Sequence, residues 1–493
     1  MLMRNYTIIK LLILFTASIV LFACVSKKSP NWQKTASIET KNNPITRQTG
    51  LVIKAFPGAM GYGAYSRGGR GGKVVYVENL NDRGIGSLRW AIETLEYPRT
   101  IIFRTGGIVQ LSKNIIIKHP FVTIAGQTAP GDGICLKGAG IVIKTHDVII
   151  RHIRIRRGDD VGEKGRLSDG IAFDRAQHSI VDHISVSWAF DESMQVWYPD
   201  TKYNTIQNSI FSEPLNSKAL RPDQGHAHGY GPLFGNGALK ISFIGNLVTN
   251  SRRRNPRLSN VRDIDIIENL FYDFAMGTHI IDQRFRSSSK RIKIIGNIYK
   301  NDNFKRVIVI DKSIDPTTIL INKNVGLLKR GYIADWFPVD DHFKKNIEFN
   351  LTKKDKLHNN VMNVWNNILS NTGALMPSKD SIDSIIIQGL VDGKGSFIDC
   401  VAHSLLPNKL IKKDQCRTQS LIGKWPTYKE GLPYKDQDRD GMSDLWEKDH
   451  NLNELDPKDA NNDIFKQGYT NLEYFLNELA GDYELSKPKP VEL

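Results

Sequence analysis

Short runs of apolar residues follow one another from about residue 52 to residue 300, separated by Gly, Asn, Asp and Pro. The runs are rich in Ile and Val, which favour extended backbone, and the apolar spacing of an amphipathic helix is almost missing from this stretch. The pattern therefore predicts many short strands and few helices.

A polar residue recurs at a similar place in successive runs. The intervals between its occurrences are 31, 25, 38, 23 and 28 residues, as expected for stacked coils whose turns differ in length. We predict an all-β fold, a right-handed parallel β-helix, in which these polar side chains hydrogen-bond from coil to coil. The alternative, an antiparallel sandwich, would show more hairpin dipeptides. The recurring residues are His152, His183, Asn208, Asn246, Asn269 and Asn297.

The pattern becomes less regular after about residue 310. We interpret Asn366-Asn367-Ile368-Leu369 as a last coil, and Asp380-Ser381-Ile382-Asp383 as the start of a helix that covers the stack. Beyond Pro433 comes an acidic segment, and then the helical pattern Leu472-Glu473-Tyr474-Phe475-Leu476.

The acidic segment over 436–447 matches a twelve-residue calcium loop. Acids occupy positions 1, 3, 5 and 9, glycine position 6 and glutamate position 12, which are the positions that the loop geometry constrains. An acidic turn without a metal is the alternative. We predict a structural Ca²⁺ site whose ligands are Asp436, Asp438, Asp440, the Met442 carbonyl, Asp444 and Glu447.

The first residues have the form of an export signal. Arg4 and Lys10 flank an apolar stretch that is too short to cross a bilayer as a mature helix, and the stretch ends at Leu21-Phe22-Ala23-Cys24. This resembles a lipoprotein signal of the Bacteroidetes type, in which Cys24 is acylated. Plain secretion is the alternative. The following residues are polar and predict a flexible tether.

These features divide the chain into five parts. They are a lipoprotein signal peptide over 1–23, a tether over 24–50, a β-helix domain over 51–432, a calcium-binding segment over 433–482 and a tail over 483–493. We expect an exported monomer, anchored by Cys24 to the outer membrane on its cell-surface or periplasmic face, and otherwise secreted. Cys400 and Cys416 are close in sequence, and an exported chain allows them to pair.

Charge narrows the choice of partner. The chain of 493 residues has a formal net charge of +15, and removal of a leader with Arg4, Lys10 and no acid leaves +13. This excess attracts polyanions. The sequence has no run of five basic residues and no basic helical stripe with aromatics, so nucleic acid is not expected.

Arg254-Asn255-Pro256-Arg257 combines two guanidinium groups with a proline turn, about sixty residues after the acids Asp191 and Glu192. Guanidinium groups bind carboxylates in a bidentate manner, and carboxylates bind calcium. This combination favours a site for an acidic polymer. A basic surface turn that pairs with nearby acids is the alternative.

Several ordered motifs resemble the pectate lyases of polysaccharide lyase family 1. Together they span about residues 52 to 300, in the order that the family shows. Besides the Arg-Asn-Pro-Arg stretch they are Ala55-Phe56-Pro57-Gly58-Ala59, Gly68-Gly69-Arg70-Gly71-Gly72, Asn81-Asp82-Arg83-Gly84-Ile85-Gly86-Ser87-Leu88-Arg89, Gly126-Gln127-Thr128-Ala129-Pro130-Gly131-Asp132-Gly133-Ile134 and Val181-Asp182-His183-Ile184-Ser185.

The resemblance implies calcium-assisted β-elimination on an acidic polysaccharide, most simply pectate. It implies that Arg254 is the catalytic base and that Arg257 and His228 bind substrate. The implied calcium ligands are Asp169, Asp191 and Glu192. For Asp182 and His183 we favour a structural role in the ladder and turns.

Three positions depart from the family pattern. Ser259 stands where many members have a second arginine, which Arg257 or Arg262 could replace. Leu167 stands where a further acid is common, which Asp159 or Asp160 could replace. His228 stands in place of a substrate-binding lysine, and a neutral imidazole binds a carboxylate more weakly.

These departures leave three alternatives open. They are a lyase for another uronate polymer, such as a sulfated algal one like ulvan, a hydrolase that uses paired carboxylates, and a carbohydrate-binding β-helix without catalysis.

Overall fold

The computed structural model describes residues 53–159, 169–216, 228–281, 291–302, 307–312, 314–327, 354–406 and 425–482. The predicted leader with Cys24, the tether and the tail lie outside these residues, as do Asp160, Leu167 and Cys416.

Strands account for most of the regular structure up to residue 327. In chain order they are β1 (Lys73–Val77), β2 (Arg99–Phe103), β3 (Gly107–Gln110), β4 (Ile115–Ile117), β5 (Val122–Ala125), β6 (Ile134–Lys137), β7 (Ile141–Ile143), β8 (Val148–Arg151), β9 (Arg154–Arg156), β10 (Ile171–Asp174), β11 (Gln177–Asp182), β12 (Ser185–Ser187), β13 (Met194–Trp197), β14 (Lys202–Gln207), β15 (Ile210–Ser212), β16 (Leu233–Gly235), β17 (Leu239–Ile244), β18 (Leu247–Thr249), β19 (Arg257–Ser259), β20 (Asp263–Ile267), β21 (Leu270–Tyr272), β22 (Thr278–Ile281), β23 (Arg291–Ile295), β24 (Ile298–Lys300), β25 (Ile308–Ile310), β26 (Ile319–Asn322) and β27 (Val325–Leu327).

The strands form three parallel sheets that the chain visits in turn. Sheet 1 has ten strands in the order β1-β2-β5-β8-β11-β14-β17-β20-β23-β26, sheet 2 has nine from β3 to β27, and sheet 3 has eight from β4 to β25. Every third strand therefore returns to the same sheet one coil higher. This is the predicted parallel β-helix, and the prediction of an all-β stack is confirmed.

The core is a set of columns of apolar side chains inside the coils. In sheet 1, one residue on each successive coil points inward, and no more than 1% of its surface is exposed. Because parallel strands in register place like residues above one another, the β-branched side chains pack as continuous stacks and remove nearly all of their apolar surface from water. The column runs Ile101, Ile124, Ile150, Val181, Ile206, Phe243, Ile266, Ile294 and Ile321.

An asparagine ladder forms at one corner, as predicted, but its membership differs. The backbone N–H of Asn246 donates to Asn269 Oδ1 at 2.9 Å, that of Asn269 donates to Asn297 Oδ1 at 2.9 Å, and that of Asn297 donates to Asn324 Oδ1 at 3.0 Å. Each amide side chain thus accepts a hydrogen bond from a buried backbone N–H at the bend, where the strand ladder provides no partner.

The predicted alignment is wrong by one residue for the three earlier positions. Ser209, rather than Asn208, donates to Asn246 Oδ1. His152, His183 and Asn208 instead occupy the preceding turn position with positive φ angles of 55°, 51° and 49°. Asparagine tolerates this left-handed backbone. The residue type alone therefore did not show that Asn208 occupies the turn position and not the ladder position that follows it.

A glycine-rich strap covers part of the outer face of sheet 1. Added Cβ atoms would lie 2.3 Å from Ser179 O at Gly63 and 2.0 Å from Arg99 O at Gly69. The strap therefore lies closer to the sheet than side chains permit, which explains the glycine-rich motif near residues 68–72.

Helices and 3₁₀ turns cap and flank the stack. They are α1 (Leu88–Glu93), η1 (Gly126–Thr128), η2 (Pro316–Thr318), α2 (Lys354–Asn371), α3 (Ser381–Val391), α4 (Val401–Leu405), α5 (Asp444–Asp449), η3 (Asp459–Asn461) and α6 (Asn471–Leu479). No helix in the part of the chain that the structure describes is both long and apolar enough to cross a membrane.

The helices settle three sequence interpretations. The interpretation of 366–369 as a last coil is wrong, because these residues lie inside α2, where Ile368 packs its buried side chain against the outside of the stack. The helix predicted at Asp380 is confirmed, with the Asp380 side chain accepting from Asp383 N at 2.8 Å as an N-cap. The predicted C-terminal helix is α6, which begins with a capping box of Thr470 and Glu473.

The C-terminal segment packs on the outer face of the first coils. Met442 is fully buried in a cluster with Ile102 of β2 and Ala125 of β5. Farther along the same face, the Asp482 carboxylate pairs with Arg151 at 3.0 Å. The segment and the stack thus share one apolar interface.

Candidate active site and acidic clusters

A groove runs over the outer face of sheet 3, across strands β13, β16 and β19. The strand register aligns Leu233 with Arg257, and the next inward residues Phe234 and Leu258 are fully buried. The alternation of a strand therefore turns Arg257 outward. The groove has a cavity volume of ≈ 270 Å³ and is lined by Trp197, Leu233, Asn236, Arg254, Arg257, Ser259 and Asn260.

Arg254 lies in the turn that leads into β19. Its backbone is left-handed, with φ 67°, and the next peptide bond, Asn255–Pro256, is cis. The fully buried Asn255 side chain donates to the carbonyls of Ser251 at 3.0 Å and Met276 at 2.9 Å, which fixes the turn. The guanidinium carbon lies 4.3 Å from the ring centre of Tyr230.

The environment of Arg254 weakens its hold on a proton. Burial, and secondly the positive charge of Arg257, lower the pKa of Arg254 to about 10, while Asp191 and Asp169 oppose the shift. Arg254 also contacts the carboxylate of Glu192, and this contact by itself favours the protonated guanidinium. A guanidinium in this setting is easier to deprotonate than one in water.

Three predicted acids meet beside Arg254. Asp169, Asp191 and Glu192 each place a carboxylate oxygen within 4.8 Å of the others. Asp169 Oδ1 also accepts from the backbone N–H of Glu192 at 3.1 Å, which ties two coils together. Carboxylate oxygens are the donors that calcium prefers, so these residues fit a calcium ion by the chemistry of the donor set.

The other predicted substrate residues have different surroundings. Arg257 lines the groove and is partly exposed. His228 is 4% exposed, and its Nε2 lies 3.5 Å from Asp191 Oδ1, so it borders the acid cluster. Ser259 lines the groove, whereas Arg262 is exposed and is not among the lining residues. Arg262 therefore lies outside the groove lining.

Asp159 does not join the acid cluster. Its carboxylate accepts from Val401 N at 2.9 Å, at the start of α4. Among the described residues the groove cluster has only the three acids named above.

Three further residues of the site were not predicted. Tyr230 forms isolated parallel bridges with Glu192 and Arg253, so it holds the acid and arginine turns next to each other. Arg157 is fully buried, and burial lowers its pKa to about 10 against the opposing charges of Asp169 and Asp191. Trp197 forms one wall of the groove. The sequence did contain one sign that Arg157 is unusual, which is the basic run Arg154-Ile155-Arg156-Arg157 inside an apolar segment.

The Asp182-His183 motif is structural, in agreement with the favoured role. Asp182 is fully buried and accepts from Arg151 Nε at 2.9 Å and Gln207 Nε2 at 2.9 Å. The ring of His183 stacks on that of His152, with centroids 5.0 Å apart. These contacts link neighbouring coils and lie apart from the groove lining.

A second acid cluster lies in the C-terminal segment. One group contains Asp436, Asp438 and Asp440, and another contains Asp440, Glu447 and Asp459, again with oxygens within 4.8 Å. Both oxygens of the fully buried Glu447 have no hydrogen-bond partner. Buried carboxylates without partners fit a bound cation, because desolvated negative charge must otherwise be neutralised.

The electrostatics of this cluster agree with that fit. Burial, followed by the repulsion of neighbouring carboxylates, raises the pKa of Asp440 to about 7 and that of Glu447 to about 8. Asp444, a predicted ligand, belongs to neither group and pairs with Lys435 at 2.9 Å. Asp459 was not predicted, because it lies outside the twelve-residue loop.

The two described cysteines, Cys135 and Cys400, belong to neither acid cluster. Cys135 is a buried thiol, and burial raises its pKa to about 11. Cys400 is disulfide-bonded, and its partner lies outside the described residues.

Comparisons with known proteins place this chain in a family. A probable pectate lyase C of Aspergillus fumigatus is 30% identical over 439 residues, which cover 88% of this chain and 95% of that protein. A probable pectate lyase C of Aspergillus terreus is 38% identical over 250 residues, which cover 50% of this chain and 54% of that protein. This alignment therefore spans about half the length of the relative. A probable pectate lyase 4 of Arabidopsis thaliana is 29% identical over 164 residues, covering 31% of this chain and 42% of that protein.

Solved structures with lower similarity were also found. Jun a 1, the major allergen from cedar pollen, is 17% identical with a TM-score of 0.45, covering 62% of this chain and 92% of that chain. A pectate lyase bound to hexasaccharide is 16% identical with a TM-score of 0.44, covering 66% and 98%. No protein-family model matches the sequence. The Aspergillus fumigatus relative aligns along nearly its whole length, and on this similarity the chain belongs to the pectate lyase family of carbon–oxygen lyases.

Proposed function

We propose that this protein cleaves an acidic uronate polysaccharide, with pectate or polygalacturonate as the first candidate, by calcium-assisted β-elimination. The observation that carries the proposal is the placement of Arg254. Its buried guanidinium, with a pKa lowered to about 10, faces a groove and lies beside three clustered carboxylates. A base with reduced proton affinity next to a site for a hard cation is what this reaction needs.

Substrate binding depends on positive charge in the groove. Arg257 faces outward beside Arg254 and can hold a uronate carboxylate with two hydrogen bonds. The formal net charge of +15 draws acidic polymers toward the chain over longer distances. The Asn236 and Asn260 side chains at the groove wall offer hydrogen bonds to sugar hydroxyls.

The proton on C5 of the uronate is the one that must be removed. Arg254 takes this proton, the electrons of the C5–H bond form a C4–C5 double bond, and the C4–O bond breaks. The departing oxygen takes a proton from solvent. The products are a chain with an unsaturated uronate at its new end and a chain with a new hydroxyl.

The acid cluster provides the place for the cation. Asp169, Asp191 and Glu192 would hold Ca²⁺, which neutralises the substrate carboxylate and stabilises the negative charge that develops beside C5. In the structure Glu192 contacts Arg254. A cation held by Glu192 would compete with Arg254 for this carboxylate, which would lower the proton affinity of Arg254.

A second candidate is a lyase for a different uronate polymer, such as a sulfated algal one. The observation that favours it is His228, which takes the place of a lysine and lies against Asp191 instead of lining the groove. With Ser259 in place of an arginine, the groove carries less positive charge than the resemblance implies. A different set of charges in the groove would favour a different arrangement of acidic groups from that of polygalacturonate.

One experiment separates these candidates. Purified protein is incubated with calcium and each polymer of a panel that contains polygalacturonate, methylated pectin and ulvan, and the ultraviolet absorbance of unsaturated products is followed. Absorbance with any one polymer supports elimination. Reducing ends without absorbance would indicate a hydrolase, and binding without either product would indicate a carbohydrate-binding β-helix.

The C-terminal segment, residues 433–482, is proposed to bind a separate and structural calcium ion. The support is the set of buried carboxylates around Asp440 and Glu447, together with the spacing of the loop. Residues 51–432 then form the lyase domain, with the catalytic groove on sheet 3 and the loop on the outer face of sheet 1.

We also propose that the chain is exported and anchored through acylated Cys24 to the outer membrane. The support is the apolar stretch that ends at Cys24, followed by a polar tether. Incorporation of labelled palmitate into the expressed protein tests this proposal. The label should disappear in Cys24→Ser, and a labelled Cys24→Ser protein would contradict the assignment.

A further inference from the structure

The acids around Glu447 come from two separate stretches of chain. Asp436, Asp438, Asp440 and Glu447 belong to the twelve-residue loop, whereas Asp459 lies twelve residues after Glu447 on the 3₁₀ turn η3. The carboxylates of Asp459, Glu447 and Asp440 nevertheless converge within 4.8 Å. Loop spacing alone does not account for this convergence.

The three converging carboxylates are buried and lack partners. Asp440, Glu447 and Asp459 are 3%, 0% and 7% exposed. Asp440 Oδ2, Asp459 Oδ1 and both oxygens of Glu447 have no hydrogen-bond partner. Asp459 keeps its place by other contacts, since its second oxygen accepts from Asn453 N at 3.2 Å and its carbonyl accepts from Asn471 Nδ2 at 2.8 Å. The free Oδ1 is thus held toward the cluster.

Asp444, the acid at loop position 9, points to different partners. Its Oδ1 accepts from Gln437 N at 2.8 Å, and its Oδ2 lies 2.9 Å from Lys435 Nζ. It also stands in the first turn of α5, where a negative charge is favourable. The Lys435 ammonium group balances the charge of Asp444, whereas no ion pair balances the charges of Asp440, Glu447 and Asp459 within the described residues.

The loop is also attached to the first coil of the stack. The hydroxyl of Tyr76 in β1 donates to Asp436 Oδ2 at 2.6 Å. Arg104, directly after β2, donates to the Tyr434 carbonyl at 2.8 Å. Asp436 is at once a member of the acid cluster and a contact of the β-helix.

We propose that Asp459 is a ligand of the calcium ion in the C-terminal loop, and that this single ion joins the loop, the turn η3 and the first strand of the β-helix. Asp436, Asp438, Asp440, Glu447 and Asp459 offer one carboxylate oxygen each, and a glutamate that binds through both oxygens brings the set to about six, within the range that calcium takes. Asp444 orders the loop through Lys435 and Gln437 and does not bind the ion directly. This assignment rests on the calcium site proposed above for the C-terminal segment and is independent of the reaction in the groove.

A matched pair of variants tests the ligand assignment in the full-length protein. Both are made in an Asp169→Ala background, which disables the groove cluster so that only the C-terminal ion is measured. Asp459→Asn should weaken calcium binding in calorimetry by about tenfold or more, because a charged ligand is lost. Asp444→Asn should leave the affinity nearly unchanged. The reverse order of effects, or absence of calcium binding in the Asp169→Ala background, overturns the proposal.

Hydrogen exchange tests the link to the β-helix. Calcium should slow amide exchange in β1 (Lys73–Val77) as well as in the loop, because the ion holds Asp436 against Tyr76. In Asp459→Asn the protection of β1 at the same calcium concentration should be lost, while circular dichroism shows an intact fold. Protection limited to residues 434–479 would contradict the clamp and leave an ion that serves the segment alone.

Discussion

Arg254 contacts the carboxylate of Glu192 across two coils of the β-helix. The contact arises because isolated parallel bridges align Glu192 with Tyr230 and Tyr230 with Arg253 on successive coils. A base candidate and a metal-ligand candidate more than sixty residues apart are thereby neighbours. The functional consequences of this pairing can be measured.

Replacement of the proposed base should abolish most turnover. Arg254→Lys keeps a positive charge but cannot reproduce the planar guanidinium over the ring of Tyr230. We expect kcat to decrease by about 10²- to 10⁴-fold, the usual contribution of a general base, with an unchanged circular dichroism spectrum. The control is Arg253→Lys, since Arg253 is exposed. Normal kcat in Arg254→Lys would refute the assignment.

Activity should increase with pH. Burial and then Arg257 lower the pKa of Arg254 to about 10, so the deprotonated base is a minor species at neutral pH. Below this pKa its fraction increases about tenfold per pH unit, and kcat/KM should follow it from pH 7 toward 10. Arg257→Gln removes a repelling charge and should move this limb to higher pH. A profile that is flat over that range would exclude Arg254 as the titrating base.

The groove acids should control the calcium requirement. Chelation should stop turnover reversibly, and Asp169→Ala or Glu192→Ala should increase the calcium concentration needed for half-maximal rate or eliminate activity. Asp200→Ala serves as the control, because Asp200 is an exposed acid that belongs neither to the groove cluster nor to the C-terminal cluster. Full activity of exhaustively chelated enzyme would remove the metal from the mechanism.

Trp197 should contribute to substrate binding. Its ring crosses β16 over Gly235, where an added Cβ would lie 2.5 Å from the ring and 2.2 Å from the Ser259 carbonyl oxygen. An aromatic face in a groove can stack on a sugar ring, so Trp197→Ala should increase KM more than it decreases kcat. Trp197→Phe should restore part of the affinity. Equal kinetics of Trp197→Ala and the parent on every accepted polymer would show that the ring only packs.

The C-terminal calcium site should affect stability rather than catalysis. Glu447→Gln removes a buried, unpartnered carboxylate and should decrease the thermal unfolding temperature in calcium. Binding to the folded state stabilises it by about 3 kcal/mol when calcium is a hundred times above its dissociation constant. Turnover at low temperature should change little, and Glu454→Gln, at a surface ion pair with Lys448, is the control. Lost turnover with unchanged stability would assign this ion a different role.

The sequence by itself was sufficient for the stack and for the C-terminal helix. Short Ile- and Val-rich runs with a recurring polar residue can bury their apolar faces only by stacking, so the parallel β-helix followed from local pattern. The acids of the twelve-residue calcium loop have a fixed spacing, so they could also be recognised in the sequence. Asp169, Asp191 and Glu192 came from the family resemblance, and the structure brings them together.

Contacts between distant coils were decided only by the tertiary structure. The ladder shift at Ser209 and the place of Tyr230 depend on which turns lie one above another, which no local pattern encodes. The pairing of Asp444 with Lys435, and the approach of Asp459 to Glu447, likewise depend on how the C-terminal segment folds against the first coil. Identical acids thus acquire different roles, because burial and neighbouring charges, rather than residue type, determine what a carboxylate can bind.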